Sequence, residues 1–142
     1  MLVRSIKLAA LAMSLLVSAK VLAHEFGSPQ DAVNSYISAV KTGSGEHIKM
    51  AFLPSASIQY YDKNGKYQNY TRDDFAKLVD TGNKWNATIE ITDLKTTGNA
   101  ANATVEFSWG DEGKQGYVDY LNLINHDGSW HITDKVAQYV ER

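Results

Sequence analysis

The chain has 142 residues, of which 44% are apolar, 21% charged and 11% aromatic. That is room for one core and one domain, with too much apolar surface for a disordered chain. The absence of cysteine excludes a disulfide scaffold, a thiolate zinc site and a cysteine nucleophile. A formal net charge of −2 lacks the basic footprint of a duplex-binding protein, so no nucleic-acid partner is expected.

Met1 to Ala23 has the layout of a secretory signal. Arg4 and Lys7 open it, Leu8 to Val17 is an apolar run, and Val21-Leu22-Ala23 offers small residues to a signal peptidase. The run is well short of the ~20 apolar residues that span a bilayer. An uncleaved anchor or a buried N-terminal helix is the rival reading, and Lys20 argues against it. Cleavage before His24 divides the chain into a signal, 1–23, and a domain, 24–142. Removing Arg4, Lys7 and Lys20 from the 14 basic residues leaves 11 against 16 acidic ones, a charge of −5. The expected product is periplasmic or secreted, with no membrane association after cleavage. Asn-X-Thr sequons begin at Asn69, Asn86 and Asn102 and matter only in a glycosylating eukaryotic route.

Along the domain, Ser28 to Val40 reads as a helix, with Ser28 as cap, Pro29 in the first turn and Asp31 beside it. Ala32, Val33, Tyr36, Ile37 and Val40 form its apolar stripe, and Gly43 stops it. A second short helix is expected over Gly45 to Ala51, closed ahead of Pro54. Ala56 to Tyr61 reads as a strand, Asp62-Lys63-Asn64-Gly65 as a turn and Lys66 to Tyr70 as the returning strand. Thr71 caps a third helix, Arg72 to Val79, with Phe75, Leu78 and Val79 on its apolar face.

The rest is strand-like. Trp85 to Ile91 and Ala101 to Trp109 alternate apolar with polar residues. Gly110 to Gly113 turns the chain. Tyr117 to Ile124 is apolar on both faces apart from Asp119 and Asn122, which predicts a strand inside the sheet. His126 to Ser129 turns again, and Trp130 to Val140 is the last strand. Helices first and strands after give an α+β fold with a mostly antiparallel sheet.

This order resembles the nuclear transport factor 2 superfamily (NTF2-like, SnoaL-like), which includes steroid isomerases and polyketide cyclases. Three stretches carry the resemblance: Ala32 to Gly43 followed by Ile48 to Phe52 and Ala56; Thr71-Arg72-Asp73-Asp74-Phe75; and Gly116 to Ile124 followed by Asp127-Gly128-Ser129-Trp130-His131-Ile132 and Lys135. The last is most similar to the subgroup labelled putative lumazine-binding proteins. The resemblance implies N-terminal helices packed on a curved sheet, with a pocket between them. In steroid isomerases a first-helix tyrosine stabilises an enolate oxygen, and Tyr36 matches it. The base, a first-strand aspartate, is replaced by Tyr60, or by Gln59 with a slip of one, and neither takes a carbon-bound proton as a carboxylate does. The late-strand acid matches Asn122, or Asp119 in another register.

The candidate pocket residues are Tyr36, Tyr60, Trp109, Asp119, Tyr120, Asn122 and Lys135. Each has a structural alternative. Tyr36 reads equally as a core residue with its oxygen at the rim. Asp119 is either a pocket acid or the partner of Lys135 across the Asp127-Gly128 turn, depending on register. The strand aromatics Tyr60, Tyr61, Trp85, Trp109, Tyr117, Tyr120 and Trp130 suit either stacking on a flat ligand or cross-strand packing. His24, His47, His126 and His131 lack metal-ligand spacing, so no metal is expected, and His126 and His131 read as surface residues. No nucleophile elbow, phosphate loop or dinucleotide fingerprint is present.

The expectation is an exported small-molecule-binding or accessory protein, a homodimer without a cofactor, that takes a small apolar or aromatic ligand. Two alternatives stand beside it. One is an isomerase, cyclase or dehydratase-type enzyme using Tyr36, Asp119 and Asn122. The other is a dimeric protein-interaction module.

Overall fold

The computed structural model describes residues 26–142. The signal reading, and His24 with it, lies outside the described residues. Three helices pack on one face of a six-stranded sheet: α1 (Pro29–Thr42), α2 (Gly45–Ala51), β1 (Phe52–Tyr61), β2 (Tyr67–Thr71), α3 (Arg72–Val79), β3 (Thr88–Thr97), β4 (Ala100–Trp109), β5 (Gln115–His126) and β6 (Ser129–Glu141). A single 3₁₀ turn, Asp111–Gly113, joins β4 to β5.

The helices begin where their caps stand. Ser28 Oγ accepts from the Asp31 N–H, Ser44 Oγ from the His47 N–H and Thr71 Oγ1 from the Asp74 N–H, so each first turn has a donor satisfied. Gly43, at φ 66°, closes α1 in the left-handed conformation, and its N–H bonds the Ala39 carbonyl. The stripe of α1 buries Ala32, Val33, Tyr36 and Ala39. Against it lie Ile48, Phe52, Ile58, Val105, Phe107, Leu121 and Ile132 from α2 and the inner sheet face. Burial of such side chains, each worth about 1.5–3 kcal/mol, holds the layers together.

The strand order is β2-β1-β6-β5-β4-β3. β1 and β6 are parallel, and every other pair is antiparallel. The β5–β6 hairpin turns through Asp127 and Gly128, at φ 52° and 82°. Two consecutive positive φ values give a primed turn whose twist suits flanking strands.

Three expectations need correction. Trp85 to Ala87 alternates like a strand but lies in the loop before β3, where the Trp85 N–H donates to the Lys41 carbonyl at 2.9 Å. β1 starts at Phe52 rather than Ala56. Its pairing with β6 is interrupted between Phe52 and Ser57, so Pro54 falls where no ladder donor is needed. β5 does lie between β4 and β6, but only one of its faces is buried: Tyr120 is 54% and Ile124 39% exposed.

Candidate functional site

A cavity of about 160 Å³ lies between the helices and the sheet. It is walled by Tyr36 and Val40 of α1, Tyr60 of β1, Phe75 and Val79 of α3, Trp85, Phe107 of β4, Tyr117 and Asp119 of β5, and Lys135 of β6. The walls are therefore mainly aromatic and aliphatic, with one acid and one base among them. That is the usual composition of a small-molecule site, in which a few polar groups orient an otherwise apolar ligand.

The polar groups form one cluster. Tyr36 Oη donates to Asp119 Oδ2. Lys135 Nζ donates to Tyr36 Oη at 2.8 Å and stands 3.3 Å from Asp119 Oδ2. Asp119 is 1% and Lys135 7% exposed, so each charge depends on the other for compensation. Lys135 Nζ also lies over the rings of Phe75, Tyr36 and Tyr60, at 4.7, 5.2 and 5.5 Å from their centroids. Those negative ring faces further favour the ammonium. The second carboxylate oxygen, Asp119 Oδ1, is buried with no hydrogen-bond partner.

Burial, and then the neighbouring Asp119 carboxylate, hold the Tyr36 phenol well above its ordinary value of 10.0. Tyr36 is thus a neutral hydroxyl that donates and accepts, and a poor base. Burial also raises Tyr60, with Tyr70 as the next cause, and raises Tyr117, with Asp62 as the next cause.

Strand alternation alone would not bring the charged pair together. Asn122 pairs with Asp134, while the next residue, Leu123, pairs with Ile132. Thr133 is the extra residue, a bulge that reverses the in-out phase of β6. Ile132 and Lys135 consequently both face inward, although three residues apart. The Thr133 hydroxyl donates to the Asn122 carbonyl at 3.2 Å and tethers the bulge to β5. Leu121 then faces Lys135, and Asp119 faces Ala137, so Asp119 and Lys135 meet as diagonal neighbours.

Tyr36, Tyr60, Asp119 and Lys135, all candidates from the sequence, are brought together. Trp109 is not part of the cavity wall but stands behind it, 4.9 Å from Trp85 and 5.8 Å from Tyr117 between ring centroids. Its indole N–H donates to Gln115 Oε1. Tyr120 and Asn122 are corrections. Both lie on the opposite sheet face from Asp119, because even-numbered residues of β5 point away from the helices. Asn122 bonds Asn102 and Asp134 on that exposed face. Asp119 satisfies both of its readings, since it lines the cavity and pairs with Lys135.

Sequence reasoning missed Val40, Phe75, Val79 and Phe107 as cavity wall. Their only signal was membership of an apolar stripe, which core packing and a pocket wall produce alike. His131 is also a correction: it is half-buried, with Nδ1 3.2 Å from the Met50 carbonyl. His126 is exposed beside Asp127. Among the described residues, no three His, Cys, Asp or Glu side chains converge as metal ligands.

Comparison with known proteins places this arrangement. A family profile described as "Putative lumazine-binding" matches residues 25–138. Among solved structures, an NTF2-like protein of unknown function from Methylobacillus flagellatus is 26% identical, with a TM-score of 0.67 over 78% of this chain and 88% of that one. Another, from Silicibacter pomeroyi, is 24% identical, with a TM-score of 0.67 over 78% and 91%. A ketosteroid isomerase-like protein from Erwinia carotovora atroseptica shares the fold at 11% identity, with a TM-score of 0.62 over 80% and 94%. No curated protein matches the chain.

Proposed function

The chain belongs to the NTF2-like family described as "Putative lumazine-binding", and from that premise we propose that it is an exported protein that binds a small, flat, largely apolar molecule without transforming it. The observation that carries this reading is the cavity itself: aromatic walls around a polar cluster in which Tyr36 and Lys135 both engage Asp119 Oδ2. An acid–base catalyst needs a group free to exchange a proton with the substrate. Here Asp119 Oδ2 is held by Tyr36 and Lys135, the resemblance puts Tyr60, or Gln59 with a slip of one, in place of the isomerases' aspartate base, and Asn122 lies on the far face. Export rests on the first 23 residues of the sequence.

Native mass spectrometry of the protein isolated from the exported fraction of its own cells tests the reading. A bound species with the mass of a small ring compound is expected. Turnover of such a compound that depends on Asp119 or Tyr36 would overturn it.

A homodimer is part of the proposal. Tyr120, Ile124 and Val136 are large apolar side chains exposed on the outer sheet face, and Tyr120 and Val136 are direct cross-strand neighbours. Covering that patch with a second copy would remove it from water. Sedimentation is expected to report a dimer that Tyr120→Lys dissociates, and a wild-type protein that is monomeric at high concentration would refute it.

A further inference from the structure

The floor of the cavity has two unused hydrogen-bonding capacities of opposite kind. Lys135 carries three N–H donors; one is given to Tyr36 Oη, and the ammonium stands 3.3 Å from Asp119 Oδ2 as an ion pair. Asp119 is the reverse case. Its Oδ2 accepts from Tyr36 and pairs with the Lys135 ammonium, while Oδ1 is buried with no hydrogen-bond partner. A carboxylate oxygen left so is unfavourable, and a donor brought to it is strongly favoured. The two groups belong to one ion pair, so the free donor and the free acceptor are side by side.

Charge narrows the choice. Asp119 and Lys135 neutralise each other, so an anionic or cationic occupant would bring an uncompensated charge against aromatic walls, which is costly. Size narrows it again. At about 160 Å³, the cavity resembles the ~150 Å³ apolar cavity known to admit benzene. One ring with a small substituent fits, and the rings of Tyr60, Phe75 and Tyr117 offer it edge and face contacts.

We propose that the cavity selects a neutral aromatic ring bearing an amide, whose carbonyl accepts from Lys135 and whose N–H donates to Asp119 Oδ1. Lys135 and Asp119 are then the specificity-determining residues of the binding site. The proposal rests on the binding reading above and adds the chemistry of the ligand.

The experiment uses four probes of nearly equal shape, benzamide, acetophenone, benzoate and isopropylbenzene, titrated calorimetrically into the purified wild-type protein. Benzamide is expected to bind about tenfold more tightly than isopropylbenzene, the order expected for charge-assisted hydrogen bonds. Acetophenone, which accepts but cannot donate, should fall between them, with benzoate weakest. Equal binding of benzamide and isopropylbenzene, or tightest binding of benzoate, overturns the proposal while leaving a binding cavity in place. Failure of all four probes removes the binding reading itself and this proposal with it. In Lys135→Met, benzamide should lose its advantage over isopropylbenzene, and an undiminished advantage in that variant also overturns the assignment.

Discussion

Asp119 and Lys135 share one cavity because Thr133 is one residue too many for a regular β5–β6 ladder. Were Thr133 taken into the ladder opposite Asn122, Lys135 would fall opposite Tyr120 and point to solvent. Deleting Thr133 removes only the extra residue and keeps Asp134 opposite Asn122 and Lys135 opposite Leu121, so Lys135 should stay inward. In the wild-type protein Lys135 should resist an amine-acylating reagent that quickly modifies Lys95, whose side chain is 78% exposed. In the deletion variant that protection should persist. A folded deletion variant in which Lys135 reacts as fast as Lys95 would show that Thr133 is not the extra residue.

Removing one member of the ion pair should cost far more than removing both. Lys135→Met strands the Asp119 carboxylate beneath aromatic rings, and a loss of about 3–5 kcal/mol is expected on breaking a buried pair in this way. The double variant Asp119→Leu, Lys135→Met leaves no buried charge and should recover most of that loss. Urea unfolding of the wild type, both single variants and the double variant gives the coupling directly. Additive losses would contradict the description of the pair as mutually dependent.

The raised Tyr36 ionisation makes stability sensitive to alkali. The folded state holds this proton more tightly than the unfolded chain, whose tyrosine loses it near 10.0. The stabilisation is complete below that pH and is lost as the pH rises above it toward the folded-state value. Tyr60 and Tyr117 are shifted the same way and steepen the decline. Unfolding free energy measured from pH 8 to 11 should fall above pH 10, and Tyr36→Phe should make the fall shallower. An unchanged slope in the variant would mean that Tyr36 ionises as readily folded as unfolded.

Gly45 sets the distance between α2 and α3. A Cβ there would come within 2.6 Å of the Ala76 carbonyl oxygen and 2.9 Å of Asp80 Cβ. The nearest atom is backbone and cannot swing aside, so α3 itself must shift. Gly45→Ala should destabilise the fold by about 1–3 kcal/mol, as overpacking does. Phe75, on α3, lies over Lys135 at 4.7 Å, so the shift should also weaken binding of a ring probe. Thermal unfolding and a probe titration on the same sample test both effects, and a variant as stable as wild type would refute the tight packing.

Much of this fold was legible because its signals are local. Ser28, Ser44 and Thr71 cap the helices they precede, Gly43 ends α1, and Asp127-Gly128 makes the last hairpin turn. Alternation identifies β4 and the start of β3, and a continuous apolar run identifies β5. Alternation failed at Trp85 to Ala87, where the same pattern arises from a loop that packs Trp85 on Phe107 and Trp109. The candidate site was half legible. Tyr36 follows from a helical stripe and Asp119 from a polar residue in an apolar strand. The inward direction of Lys135 depends on a single-residue bulge, which hydrophobic periodicity does not encode. Tyr120 is a pocket candidate as a strand aromatic and Asn122 by its match to the isomerases' late-strand acid, and the two-residue period of β5 sends both the other way.

The central claim is that a ring compound occupies the cavity between α1, α3 and the sheet. Methyl-resolved NMR tests it most directly, with benzamide titrated into protein labelled at the valine and isoleucine methyl groups. Val40 and Val79 line the cavity, whereas Ile124 and Val136 lie exposed on the opposite face. Saturable shifts at Val40 and Val79, with Ile124 and Val136 unmoved, are the predicted result. Shifts confined to Ile124 and Val136 would place binding on the outer sheet face and contradict the account.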